Sequence, residues 1–276
     1  MADHDIHLPG EGGTARQALR RAVRLPLLAG YALLGLMLQF GFYLLRPLLG
    51  DDRLQRETTR RFHRGLCALV GLRLEIVGRP PEGAALVVSN HISWLDVPVI
   101  GGCLPVAFLS KSEVRRWPVI GWLATNAGTH YIDRGAHGVR NVAQAMSESL
   151  RQGRCVAFFP EGTTTAGESV RRFLPPLFAA AVEAGVPVQP VAIRYPHGDS
   201  VHPYAPLVGD QSMATHVWRL LGGRRLQAEV TFCPPIAPLS ERRLLAVMAH
   251  HAICQVVARR GPGQAAVGIG VGETSS

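Results

Sequence analysis

Leu25 to Leu45 is a run of 21 residues without a charge, preceded by Arg16, Arg20, Arg21 and Arg24 and closed by Arg46 and Pro47. As a helix it is just long enough to cross a bilayer core of roughly 30 Å. It is too long for the apolar part of a secretory signal, and no small-residue cleavage site follows it. The chain must therefore fold with an apolar helix near its start, either crossing the membrane or seated in one leaflet as half of a hairpin. Arginines flank the run on both sides, so the positive-inside rule does not orient it. Arg53 to Leu74 is Arg-rich, with Phe62, Leu66, Leu69 and Val70 at near-helical spacing. That pattern predicts a basic amphipathic helix at a membrane surface, and equally fits a plain core helix.

From residue 75 short apolar runs alternate with helical stripes. Strands are expected at 84–88, 106–110, 129–133, 155–159, 187–195 and 226–232, and helices at 117–126, 139–150, 177–184 and 244–258, the last capped by Ser240. Such alternation predicts an α/β fold, a mixed sheet flanked by helices. The chain divides into a polar, disordered start (1–15), a membrane-associated helical segment (16–74), an α/β domain (75–260) and a Gly-rich flexible tail (261–276).

Lys and Arg total 29 against 20 Asp and Glu, a net charge of +9. No basic run is interleaved with aromatics, so the charge suits an anionic membrane surface and not nucleic acid. The five cysteines are scattered without a CxxC pair, and the 11 histidines contain no HExxH. Those spacings argue for a reducing compartment and against a disulfide framework or a metal site.

Candidate chemistry lies where strands hand over to loops. His91 follows the run Ala84 to Val88, and Asp96 opens the next apolar segment. Five residues apart, the two would point about 140° apart on one helix and to opposite faces of one strand. They meet only if the chain turns from strand to helix between them. A carboxylate on one ring nitrogen leaves the other free to take a proton, which is general-base chemistry; a structural histidine beside a helix-start carboxylate fits the same residues. Tyr131-Ile132-Asp133-Arg134 ends another strand, where Arg134 suits a phosphate or pairs with Asp133. In Phe159-Pro160-Glu161-Gly162-Thr163, Gly162 lets backbone approach a ligand and Glu161 offers an acceptor for hydroxyls; a structural turn is the alternative. Val186 to Val191 contains Pro187 and Pro190, which predicts a rim position and not a sheet centre.

In this order, Asn90-His91 through Asp96, Lys111 with Pro118 and Gly121, Tyr131 to Arg134, Phe159 to Thr163 and Val186 to Pro190, the chain resembles the glycerolipid acyltransferase family over roughly residues 60–240. The resemblance implies acyl transfer from acyl-CoA or acyl-carrier protein to a lysolipid hydroxyl, without metal, further cofactor or acyl-enzyme. It implies His91 as general base, Asp96 as its orienting group, Arg134 on the anionic head, Glu161, Gly162, Thr163 and Lys111 around the acceptor, and Pro187 and Pro190 near the donor. The foremost acceptor it implies is 1-acyl-glycerol-3-phosphate, with lyso-ornithine lipid next; a thioesterase would use the same base on water. One departure concerns the acceptor: a Phe-Lys-x-Gly-like stretch common in the family is replaced here by Arg171-Arg172-Phe173-Leu174-Pro175. The expected location is the cytoplasmic membrane, with the α/β domain facing the cytosol.

Overall fold

A computed structural model describes residues 13–49, 52–133 and 135–259. Both expected terminal tails lie largely or wholly outside them. The elements run α1 (Thr14–Leu49), α2 (Arg53–Val70), β1 (Leu72–Val77), β2 (Leu86–Ser89), α3 (Asp96–Cys103), β3 (Ala107–Lys111), α4 (Ile120–Asn126), β4 (His130–Ile132), α5 (Ala136–Arg151), β5 (Val156–Phe158), α6 (Ala179–Ala184), β6 (Val188–Arg194), β7 (Pro196–His197), β8 (Ser200–Val201), α7 (Met213–Gly222), β9 (Leu226–Phe232) and α8 (Arg242–Val257). Short 3-10 turns sit at Ser112–Arg116 and Pro176–Phe178.

Seven strands form one mixed sheet in the order β1-β9-β6-β2-β5-β3-β4. The five from β6 to β4 are parallel, while β9 pairs antiparallel to β6 and carries β1 with it. β2 is buried throughout because helices cover both sheet faces. Its Val87 packs toward α2, α3 and α7, and its Leu86 and Val88 toward α5, α6 and α8. β9 instead alternates buried and half-buried residues along its length.

Three expectations are corrected. The basic helix does not reach Leu74: Gly71 at φ +85 closes α2, and Leu72 begins an edge strand whose partner, β9, is remote in sequence. The last helix starts after Glu241 with no side-chain cap, so Ser240 is not its cap. Pro190 lies inside the sheet and not on its rim, because β6 is flanked by β9 and β2. The Cys233 N–H donates to the Pro190 carbonyl at 3.0 Å, but Pro190 has no N–H to return to the Cys233 carbonyl. The side-chain amide of Gln189 fills that place, donating to the Cys233 carbonyl at 2.6 Å.

α1 and α2 form an antiparallel pair held by close approach at glycines. Tyr31 and Phe62 stack at 4.6 Å between ring centres, and the Tyr31 hydroxyl donates to the Phe62 carbonyl at 3.1 Å. A Cβ on Gly35 would meet the Phe62 ring, and one on Gly65 the Tyr31 hydroxyl. α1 is also tied to the α/β domain near both ends. The Arg24 guanidinium donates to the carbonyls of Leu220, Leu221 and Gly223 at the end of α7. Toward the other end, the Gln55 amide bridges Gln39 of α1 (2.9 Å) and the Asn126 carbonyl of α4 (2.8 Å).

Gln189→Leu should lower the unfolding free energy by about 1–3 kcal/mol, since it strips a buried carbonyl of its donor. Denaturant titration of the purified variant checks this. An unchanged midpoint would mean that Cys233 finds another donor.

Candidate active site

The carboxyl ends of β6, β2, β5, β3 and β4 share one edge of the sheet, and every stretch singled out from the sequence except Val186 to Val191 lies there. β2 delivers Asn90 to Asp96, and β5 delivers Phe159 to Thr165. Lys111 ends β3, exposed and without a hydrogen bond or ion pair among the described residues. Asp133 follows β4; Arg134 lies outside the described residues.

The turn from β2 to α3 folds around a single carboxylate. Asp96 is completely buried. Its Oδ2 accepts from His91 Nδ1 at 2.7 Å and from the backbone N–H groups of Ile92 (2.6 Å) and Ser93 (2.9 Å). Its Oδ1 accepts from the Tyr195 hydroxyl at 2.8 Å. Four donors satisfy the carboxylate without water. Because an ionised carboxylate only accepts, the ring proton of His91 sits on Nδ1 and the Nε2 lone pair is left over. Burial and the neighbouring Asp96 hold the Tyr195 proton far above its ordinary range, so the phenol remains a donor.

The His91 side chain keeps about a fifth of its surface open (20%). Phe159 lies flat against the ring, 4.0 Å between centres and 11° between planes. The backbone of His91 is fixed as well. Its N–H donates to Glu161 Oε1 at 2.7 Å, and its carbonyl accepts from the N–H of Thr165 at 2.8 Å. Glu161 Oε2 accepts the Arg171 N–H at 2.7 Å, so this carboxylate braces two backbone segments at once. Burial raises its pKa, and the N–H groups of Arg171 and His91 partly offset that. The Gly162 N–H turns back to the Phe159 carbonyl at 3.1 Å, and Gly162 itself stands at φ +72, with Thr163 exposed beside it. Pro187 precedes β6 and accepts the Leu86 N–H at 3.0 Å, on the edge opposite His91.

Further supports come from remote segments. The Leu207 N–H donates to the Ile92 carbonyl at 3.0 Å, and the Thr164 hydroxyl to the Leu207 carbonyl at 2.5 Å. Trp94 Nε1 donates to His216 Nδ1 on α7 at 2.9 Å, and burial lowers the His216 pKa, which keeps that nitrogen an acceptor. The Arg171 to Pro175 stretch runs beside Glu161, with Arg171 and Arg172 exposed and Phe173 buried edge-on to His250 of α8. Tyr195, the Phe159 stack and the Thr165 and His216 contacts were not foreseen. Tyr195 is 99 residues from Asp96, and no local spacing signals their bond.

The Acyltransferase family pattern matches residues 73–194, which takes in all the expected site residues from His91 to Pro190. The lyso-ornithine lipid O-acyltransferase of Pseudomonas aeruginosa is 43% identical over 220 residues, covering 79% of this chain and 85% of that one. The chain belongs to the glycerolipid acyltransferase family. The acyltransferase of the same name from Rhodobacter capsulatus is 36% identical and covers 93% of both chains. The 1-acyl-sn-glycerol-3-phosphate acyltransferase of Neisseria meningitidis is 37% identical over 65% of this chain and 72% of its own. In fold, this acyltransferase is similar to the crystal structure of the 1-acyl-sn-glycerophosphate acyltransferase PlsC from Thermotoga maritima, with a TM-score of 0.61 and 23% identity over 87% of this chain and 99% of that one.

Tyr195→Phe leaves a buried carboxylate oxygen without a donor, a loss of about 1–3 kcal/mol. Falling on the orientation of Asp96 and His91, it should lower acyltransferase turnover roughly ten- to a hundred-fold, with little change in the acceptor KM. Wild-type turnover in a folded variant would mean that the other three donors suffice.

Proposed function

We propose that this acyltransferase moves a fatty acyl group from acyl-CoA or acyl-carrier protein to the free hydroxyl of a lysolipid, with His91 as general base. The observation that carries the reading is the buried Asp96 carboxylate holding the proton on Nδ1 of a His91 side chain that keeps part of its surface exposed. Nε2 takes the proton of the acceptor hydroxyl as its oxygen attacks the thioester carbonyl. The tetrahedral intermediate then collapses and expels the thiolate, which recovers the proton from the imidazolium. A thioester is already activated, so the protein has mainly to orient two substrates and supply one base.

The acceptor we favour is lyso-ornithine lipid, ahead of the lysophosphatidate that leads on sequence motifs alone. The 43% and 36% identical relatives of that name support it, as does the replacement of the Phe-Lys-x-Gly-like stretch by Arg171-Arg172-Phe173. An amino-acid headgroup offers a carboxylate in place of a phosphate, and the planar fork of Arg134 would hold either with two bonds.

The same reading places the enzyme on the cytosolic face of the cytoplasmic membrane, where acyl thioesters are made. α1 exposes Leu33, Met37, Phe40 and Leu44 along one stripe, and α4, packed on α1, follows an exposed Trp117 and exposes Ile120 and Trp122. Arg24 binds the α/β domain directly and Gln39 is linked to it through Gln55 of α2, at points of α1 separated by about 22 Å of helix. A helix tied down at both points lies along the domain, so the α1–α2 pair is better read as a hairpin in one leaflet than as a span.

His91→Ala should reduce acyl transfer at least 10²–10⁴-fold while the circular dichroism spectrum stays native. Retained turnover would refute the general-base role. With labelled acyl-CoA and a panel of lysolipids, lyso-ornithine lipid should be the best acceptor; preferential labelling of lysophosphatidate would reverse that choice. CoA release without any acceptor at the same rate would make the protein a thioesterase.

A further inference from the structure

Two concavities lie away from the catalytic turn. The larger, about 830 Å³, opens at the amino-terminal edge of β3 and β5, and its charges compensate one another. There Asp52 pairs with both Arg56 and Arg154, and Glu57 pairs with Arg60. The smaller, about 460 Å³, is of another kind, being lined by Arg20, Arg24, Arg224 and Arg225 alone.

Backbone carbonyls meet two of these arginines. Arg24 donates to three carbonyls at the end of α7, and Arg20 donates to the Gly222 carbonyl at 3.0 Å. The carbonyls fix the Arg24 guanidinium and stabilise it through the helix dipole, but supply it no full counter-charge. Burial lowers the Arg24 pKa first, and the charges of Arg20 and Arg225 lower it further, as expected of like charges gathered together. Among the described residues no acidic side chain pairs with Arg24, Arg224 or Arg225. The basin thus calls for an anion that makes several bonds to planar donors, which is phosphate chemistry.

Its position narrows the source. Arg24 immediately precedes the uncharged run, whose Leu25 and Leu27 are exposed. On the facing helix Trp218 is half exposed, with the Arg21 guanidinium 4.7 Å from its ring centre. Arginines and a tryptophan at the polar end of an apolar helix mark the headgroup level of a bilayer. A ligand seated there would place its charge in the basin and its chains along the apolar face of α1. We infer that Arg20, Arg24, Arg224 and Arg225 form a binding site for the phosphate headgroup of an anionic membrane phospholipid. This site is separate from the acceptor and donor sites. Occupied, it would fasten α1 to α7, whose His216 holds Trp94 of the catalytic turn.

The test uses the full-length protein and compares its partition onto phosphatidylcholine vesicles with and without phosphatidylglycerol. Arg224 and Arg225 are exposed and support no helix end, so the double variant R224Q/R225Q should fold. It should lose about thirty-fold of the wild-type preference for phosphatidylglycerol, at about one kcal/mol for each arginine near the surface. The control R242Q/R243Q removes the same charge at the exposed start of α8 and should keep the preference. Equal losses in the two variants would overturn the proposal in favour of diffuse attraction. Release of wild-type protein from these vesicles by coenzyme A or inorganic phosphate, at constant ionic strength, would assign the basin to a soluble phosphate and overturn the lipid source. Acyl transfer is not the readout, so this result stands apart from the proposed reaction.

Discussion

The structure turns on a carboxylate that cannot see water. Asp96 gathers the ring of His91, two backbone N–H groups of its own turn and the Tyr195 phenol just beyond β6, all within 2.9 Å. A buried carboxylate short of donors is costly, so these bonds fix the turn and its histidine together. Glu161 repeats the device on the backbone side, joining His91 to the segment that carries Arg171. The loops at this sheet edge are thus interlocked by side chains on backbone, which suits a site whose work is orientation.

The α1–α2 pair extends the same rigidity toward the exposed apolar stripe of α1. Gly101 and Gly102 let α2 press directly on α3, the helix that begins with Asp96. A Cβ on Gly101 would strike the His63 ring, whose pKa burial pushes down to about 4. α7 makes a second connection, from the arginines of α1 through His216 to Trp94. The elements that expose apolar surface are therefore continuous with the turn that holds His91.

How much of this could be read from the sequence depended on how local the cause was. The strand–turn–helix meeting of His91 and Asp96 was legible, because five residues and a change of periodicity enforce it. So was the α/β alternation, and the match of residues 73–194 to the family pattern agrees with the ordered motifs. The antiparallel insertion of β9 between β1 and β6 was not legible, since nothing near Leu226 names its partners. Pro190 misled for a similar reason: the rule against central prolines assumes an unmet carbonyl, and the neighbouring Gln189 side chain meets it. Tyr195 lay hidden as the last residue of the expected strand 187–195, its partner fixed only by the packing of β6 beside β2. Glu161 was noted as an acceptor for ligand hydroxyls; its two oxygens prove to be engaged by backbone N–H groups, which no motif reveals.

The proposed chemistry requires Asp96 to fix the His91 tautomer and leave Nε2 as the free base. Nitrogen-15 spectra of histidine-labelled protein, with His91 assigned through a His91→Gln sample, report it directly. In the neutral ring the proton should lie on Nδ1, with Nε2 unprotonated. A His91 protonated on Nε2 alone would contradict it, because the carboxylate would then face a lone pair and no base would point toward substrate.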